Sequence, residues 1–159
     1  MIIISVYGTK DSKIDICGYK FSVKDTLRVG DRFEYDLGNG ISCCRYYHSN
    51  GNIKSEFFLV NGAMPVWKYS TFDENGKLLV IRFIKYFKYD FIYVMRRAKK
   101  LGYIKSTDFN ICYYGKTEDI FQNEWTIISK SDTVKQYELG VTINALTGKE
   151  DEYSLIISE

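Results

Sequence analysis

The residue types that could carry nucleophilic catalysis lie close together at one point of the sequence. Cys43 and Cys44 precede the only histidine, His48. A cysteine nucleophile needs a base within hydrogen-bond reach and a third group that orients that base. Here an extended run and a turn separate the thiols from the imidazole. The spacing therefore predicts no catalytic residue, and His48 is interpreted as an exposed turn residue.

Metal and cofactor chemistry has no better support in the sequence. The four cysteines contain no Cys-x-x-Cys pair: Cys17, Cys43, Cys44 and Cys112. Zinc sites usually add histidines or a second close pair, and calcium loops and phosphate loops need patterns that do not occur here. We expect free thiols, no metal and no cofactor, and the alternative is a disulfide or metal site formed by the cysteines.

Three carboxylate clusters adjoin predicted turns: Asp73-Glu74, Glu118-Asp119 and residues 150–152. Paired catalytic carboxylates must face each other across about 5–10 Å, which sequence spacing does not show. We interpret the clusters as solvated edges and predict that the chain is not an enzyme. The alternative is an unrecognised site in a pocket that gathers distant groups such as Asp90, Glu124 and His48.

The strongest charge feature is basic. Residues 85–105 hold seven basic residues and one acidic residue, whereas residues 106–159 hold four and ten. Four cations cluster near one helix end: Arg96, Arg97, Lys99 and Lys100. They could form a solvated face, attract the acidic C-terminal strands, or bind an acidic protein partner. Phosphates of a nucleic acid or a membrane surface are a further alternative, but a pI near 8.2 argues against nucleic acid.

Apolar residues recur at helical spacing and predict one main helix over about residues 90–101. Asp90 is expected to cap its start and Gly102 to end it. Elsewhere, aromatic residues make up 16% of the chain and favour strands. Four Asn-Gly pairs predict tight turns with two residues at positive φ in each: Asn39-Gly40, Asn50-Gly51, Asn61-Gly62 and Asn75-Gly76.

The runs between these turns predict an antiparallel meander with strands at residues 41–47, 53–60, 66–72 and 78–87. Further short strands are expected before residue 36, including Ile2–Tyr7, and after residue 109, with a short helical turn at residues 117–119. Trp67 and Trp125 are expected to anchor the core of the two sheets.

The predicted fold class is therefore α+β, mostly antiparallel meander and hairpins with the one helix packed on a sheet. Residues 1–159 are interpreted as a single domain with a possible seam near residue 88. The seam would divide a 1–87 meander from an 88–159 helix and sheet.

The composition excludes disorder, because 45% of the residues are hydrophobic and the net charge is only +2. No apolar stretch approaches the ~20 residues of a membrane-spanning helix. No basic segment precedes Ile2–Tyr7 as it would in a signal peptide. We therefore expect a cytoplasmic protein.

Residues 46–56 read Tyr-Tyr-His-Ser-Asn-Gly-Asn-Ile-Lys-Ser-Glu and resemble the MORN-variant repeat of bacterial antitoxin-like proteins. Residues 67–78 are similar to a second copy, and the resemblance covers about residues 45–80. It implies stacked β-hairpins in a toxin-neutralising or interaction protein. Two copies are few for an array, so we expect flanking segments to cap it.

Residues 88–158 are similar to a PepSY-type module, in which a helix precedes a small antiparallel sheet. The resemblance is carried by Trp125 and by residues 141–149, which read Val-Thr-Ile-Asn-Ala-Leu-Thr-Gly-Lys. It implies a module that inhibits a peptidase or binds a peptide at an exposed sheet edge.

Together these patterns predict a non-enzymatic protein-binding module, an antitoxin-like or immunity-like protein that masks a protein partner. The expected contact residues lie on the helix and the meander: Arg96, Arg97, Lys99, Lys100, Tyr47 and Tyr69. Replacing the four cations with Glu is expected to change fold stability little and to abolish partner binding. The PepSY-like function is the alternative, and an enzyme is the third possibility.

Overall fold

The computed structural model describes residues 13–102, 109–116, 119–130 and 137–156. The chain forms two compact units, Met1–Ile84 and Lys85–Glu159. The single-domain interpretation with a seam near residue 88 stays a prediction. The predicted strand Ile2–Tyr7 lies outside the described residues.

The described part of the N-terminal unit contains eight strands: β1 (Lys13–Ile16), β2 (Tyr19–Ser22), β3 (Asp25–Val29), β4 (Arg32–Asp36), β5 (Ile41–Tyr47), β6 (Ile53–Val60), β7 (Met64–Phe72) and β8 (Leu78–Phe83). β1 and β2 form a hairpin, and β3 to β8 form a six-stranded antiparallel sheet in chain order. The predicted meander is confirmed. The strand predicted at residues 78–87 is too long: β8 ends at Phe83, and the Tyr86 amide donates to the side chain of Asp90, the N-cap of the helix, at 2.7 Å.

The turns of the meander belong to two types, so the predicted pair of positive φ angles is correct for two turns and wrong for two. Asn39-Gly40 and Asn61-Gly62 have φ of 62°, 73°, 55° and 70°. In the other two turns only Gly51 and Gly76 have positive φ. These turns are longer: the Gly51 amide donates to the His48 carbonyl, and the His48 amide donates to the Asn52 carbonyl. Only the glycine before the strand needs the left-handed region in such a loop.

The six-stranded sheet has two faces of different character. One row of cross-strand neighbours runs through Leu27, Glu34, Cys44, Phe57, Tyr69 and Arg82. The next row runs through Arg28, Phe33, Arg45, Glu56, Ser70 and Ile81. Because side chains alternate along a strand, the two rows lie on opposite faces. We call the face of Tyr69 the outer face and the face of Arg45 the inner face.

The inner face carries most of the buried residues of the sheet. They include five apolar side chains, all at most 3% exposed: Tyr35, Ile41, Cys43, Phe58 and Val60. Trp67 was expected in this core, but it is half-buried and sits at an irregularity of β7 with φ of 63°. Its ring lies 4.9 Å from that of Phe58 and carries the Lys68 ammonium at 4.3 Å.

The C-terminal unit contains, in its described part, one helix and four strands: α1 (Phe91–Lys100), β9 (Phe109–Lys116), β10 (Asp119–Lys130), β11 (Tyr137–Asn144) and β12 (Glu150–Ile156). The strands form an antiparallel sheet in the order β12-β11-β10-β9. The helix is confirmed and packs against β10. Asp90 caps it by accepting from the Phe91 amide at 2.8 Å, and Gly102 follows it with φ of 84°.

The core of this unit is centred on Trp125, as expected. Its side chain is fully buried, its indole donates to the Tyr89 carbonyl at 3.0 Å, and the helix adds a buried apolar side from Phe91 to Ala98. The predicted helical turn is wrong at Asp119, which begins β10, while residues 117 and 118 lie outside the described residues.

The fold is mostly antiparallel β-sheet with a single short helix in the described ranges, broadly consistent with the predicted α+β class. No helix in the described part of the chain is long and apolar enough to cross a membrane.

Candidate protein-binding surface

The outer face of the N-terminal unit exposes large apolar and aromatic side chains on β3, β5, β7 and β8, whereas β4 contributes charged side chains to this face. Leu27 on β3 is 60% exposed, Tyr46 and Tyr69 on β5 and β7 are each 37% exposed, and Val80 on β8 is 50% exposed. Between the tyrosines, Phe57 lies 6.3 Å from the Tyr69 ring. Regular strand alternation holds these side chains on one side of a hydrogen-bonded sheet. The result is a surface with exposed apolar and aromatic groups, of the kind that marks protein interaction sites.

The edge strand β8 exposes apolar side chains on both faces of the sheet, with Val80 on the outer face and Ile81 and Phe83 on the inner face. All six of its residues are exposed, and five are large and apolar: Leu78, Leu79, Val80, Ile81 and Phe83. Phe83 is 65% exposed. The sixth residue is Arg82, which lies directly opposite Tyr69. An uninterrupted apolar run normally indicates a strand buried on both faces, so exposure of this one is unexpected.

Several polar side chains of the inner face are hydrogen-bonded to one another. Arg45 and Glu56 are cross-strand neighbours, and the Arg45 Nε donates to Glu56 at 2.7 Å. The hydroxyls of Tyr35 and Tyr47 lie 2.5 Å apart, and the Phe33 ring meets that of Tyr47 edge-on. Tyr47 is thus half-buried and bound within the unit. Its role in partner contact stays a prediction, while its neighbour Tyr46 is the residue that the outer face presents.

Of the four cations predicted on the helix, one is paired within the unit and three are exposed. Arg97 makes a bidentate pair with Glu150 on β12, with Nη2 at 2.6 Å and Nε at 2.7 and 2.9 Å from the carboxylate. Hydrogen bonding to Glu150 raises the pKa of the Arg97 guanidinium. The expected attraction between basic helix and acidic strands therefore occurs at Arg97. Arg96, Lys99 and Lys100 are exposed.

The cysteine and histidine side chains form no nucleophilic pair. His48 is half-buried rather than exposed, and its Nε2 lies 3.0 Å from the Phe72 carbonyl. Cys43 and Cys44 are fully buried, on the inner and outer face respectively. Burial, with the nearby Glu34 carboxylate, raises the pKa of Cys44 to about 11, and burial raises the pKa of Cys43 further. All four cysteines are free thiols.

The carboxylate proposed for an unrecognised enzyme site has a structural role. Asp90 is buried, and its carboxylate accepts hydrogen bonds from the amides of both Phe91 and Tyr86, which fixes the start of the helix. Asp90 and Glu124 belong to the C-terminal unit and His48 to the N-terminal unit.

A cavity of about 370 Å³ opens beside the outer face, near the Asn39 and Asn61 turns. Its lining includes Asp25, Glu34 and Asp36, with Asp25 and Asp36 directly opposite each other. Among the described residues no group of three or more His, Cys, Asp and Glu side chains is arranged to hold a metal. The cavity gives one end of the outer face an acidic border.

Sequence reasoning selected Tyr69 but missed Tyr46 and the β8 edge. Tyr46 could have been found from alternation: Arg45 and Tyr47 must share a face with Cys43, so Tyr46 faces the other way. No signal in the sequence identified β8 as exposed, because an apolar run has the same composition in a core and at an open edge.

The chain was also compared with known proteins. No protein-family model matches it, and neither a curated protein nor a solved structure matches it. The MORN-variant and PepSY resemblances therefore stay predictions.

Proposed function

We propose that this chain is a non-enzymatic, cytoplasmic protein-binding module that masks a protein partner, in the manner of a bacterial antitoxin or immunity protein. One observation carries the proposal: the outer face exposes Tyr46, Tyr69 and apolar residues of both edge strands on one hydrogen-bonded sheet. Aromatic side chains of this kind supply large contact area at low entropic cost and are enriched at interfaces.

The chemistry of the described residues supports binding rather than catalysis. The buried thiols have raised pKa values and are poor nucleophiles at neutral pH. The imidazole nitrogen of His48 and the carboxylate of Asp90 are engaged by backbone groups. The largest exposed side chains of the outer face are apolar and aromatic, which suits an interface better than a reaction.

The test is affinity capture from a nuclease-treated lysate of the source cell, comparing three forms of the full chain. The first is wild type, and the second carries Tyr46→Ser and Tyr69→Ser on the outer face. The third is a matched control with Tyr86→Ser and Tyr114→Ser, two exposed tyrosines of the C-terminal unit that are 51% and 58% exposed.

We expect one near-stoichiometric protein to be captured by wild type and by the control, and to be lost with the outer-face variant. Retention by all three forms, or the absence of any protein partner, would contradict the proposal. A further variant carries Arg96→Glu, Lys99→Glu and Lys100→Glu and leaves the Arg97–Glu150 pair intact. It tests separately whether the helix contributes to partner binding.

A further inference from the structure

The outer edge of β8 has the backbone geometry of a strand acceptor. In the described part of the chain, β8 pairs only with β7. The Ile84 amide donates to the Trp67 carbonyl at 2.9 Å, in the same register that places Tyr69 opposite Arg82. Because hydrogen bonding alternates along an antiparallel pair, the backbone groups of Ile81 and Phe83 point away from β7. They form a short row of donors and acceptors at the edge.

The side chains of β8 do little to protect this edge. Natural edge strands usually carry lysines, prolines or strong irregularities that discourage pairing. β8 has one charged residue, Arg82, and a bulge near Leu79. Its remaining exposed residues would gain cross-strand neighbours on both faces of the sheet if another strand were added.

A second copy of this chain is a poor occupant. Antiparallel self-pairing that uses both outward residues sets Ile81 of each copy opposite Phe83 of the other. This register places the two Arg82 side chains directly opposite each other. Like charges in that position destabilise a strand pair. Arg82 is exposed and has no ion pair within the described ranges, so it favours a carboxylate instead.

We infer, resting on the proposed function, that β8 receives an extended segment of the protein partner by antiparallel strand addition. The segment carries an Asp or Glu between two apolar residues. The carboxylate lies beside Arg82 on the outer face, and the apolar residues lie beside Ile81 and Phe83 on the inner face. Main-chain hydrogen bonds to Ile81 and Phe83 supply the binding, and the alternation of side chains supplies the specificity.

The test uses two capped heptapeptides as probes, Thr-Thr-Val-Glu-Val-Thr-Thr and the same peptide with Lys in place of Glu. Each is titrated to millimolar concentration into the isotope-labelled full chain, and backbone amide shifts are followed by NMR. Ile81→Pro removes an outward N–H that β7 does not use, so it blocks strand addition without breaking the β7–β8 ladder. Arg82→Glu reverses the charge, and Arg28→Glu on the opposite edge strand β3 is the matched control.

We expect the Glu peptide to shift the amides of Ile81 and Phe83 and to bind wild type about threefold more tightly than the Lys peptide, from cross-strand charge pairing. Arg82→Glu should reverse that preference, Ile81→Pro should abolish binding, and Arg28→Glu should change nothing. Equal affinity for the two peptides, no shifts at β8, or binding retained by Ile81→Pro would overturn the inference.

The outcomes separate this inference from the proposed function. If the captured partner is lost with the Tyr46 and Tyr69 variant but retained by Ile81→Pro, the chain is a protein-binding module and strand addition is wrong. If no partner is captured, the proposed function fails, while the peptide titration still decides whether β8 accepts a strand.

Discussion

The two faces of the six-stranded sheet are made from alternate residues of the same strands and differ in how far their central side chains are buried. On the inner face Arg45 pairs with Glu56, Tyr47 bonds Tyr35, and Phe58 is fully buried. On the outer face Tyr46 and Tyr69 keep more than a third of their surface exposed. The helix repeats the contrast, since Arg97 is bound to Glu150 while Arg96 is exposed. In each pair of adjacent residues of one type, one side chain stabilises the fold and the other is exposed to solvent.

The largest expected difference between the faces is at the neighbouring residues Phe58 and Phe57. Phe58→Ala removes a fully buried ring that packs on Trp67 and is expected to cost about 3–5 kcal/mol of unfolding free energy. Phe57→Ala, on the outer face, is expected to cost about 1 kcal/mol. Urea unfolding of both variants measures the difference. Equal losses would mean that the outer face is packed as tightly as the inner one.

A second test compares Arg97 with Arg96. Arg97→Glu breaks the bidentate pair and sets two carboxylates together, which is expected to cost about 1–3 kcal/mol. Arg96→Glu should stay within about 0.5 kcal/mol. The cost at Arg97 should shrink in high salt, because this pair is partly exposed. The expectation that all four cations can be replaced with little loss of stability is therefore revised for Arg97. A salt-independent cost would point to packing rather than charge.

A third test concerns the buried thiols, which occur on both faces. The pKa of Cys44 is about 11 in the folded chain and 9.0 ordinarily, so folding favours the protonated thiol. This stabilisation is complete below about pH 9 and is lost as the pH rises toward 11. We expect stability to fall by about 2 kcal/mol between about pH 8 and about pH 10.5 from this group. The slope should lessen in Cys44→Ala, and an unchanged slope would assign the loss to other groups.

The smallest expected effect lies at the tips of the hairpins. Asn52 Nδ2 donates to the Glu74 carbonyl at 2.7 Å, across from one turn to the next. Asn52→Ala should cost about 0.5–1 kcal/mol. Asn75→Ala, an exposed asparagine in the second turn, is the control and should cost less. Thermal unfolding of the two variants gives their Tm values. Equal decreases in Tm would show that the hydrogen bond between the turns adds nothing to stability.

Much of the fold follows from local chemistry in the sequence. The Asn-Gly pairs correctly predict the strand boundaries of β5 and β6, and helical spacing with Asp90 and Gly102 correctly predicts the helix. The failures depend on distant partners. His48 was expected in solvent, but Phe72 supplies its hydrogen bond from 24 residues away. Trp67 was expected in the core, but the irregularity of β7 turns it partly outward.

The candidate site was less predictable for the same reason. Composition identifies Tyr69 and Arg97 as possible contact residues, but only the packing of the C-terminal unit shows that Glu150 binds Arg97. Whether β8 is buried or exposed depends on the packing of distant segments, which the local sequence does not encode.

The link between neighbouring hairpin tips has a consequence for motion. Asn50 and Asn52 both donate to the Glu74 carbonyl, and His48 contacts the Phe72 carbonyl, so the β5–β6 and β7–β8 turns are joined by three side-chain bonds. Opening either hairpin tip breaks bonds that also hold the other. The two hairpins should therefore exchange their amide hydrogens as one cooperative unit, and β8 would remain in place at the edge until both hairpins open together.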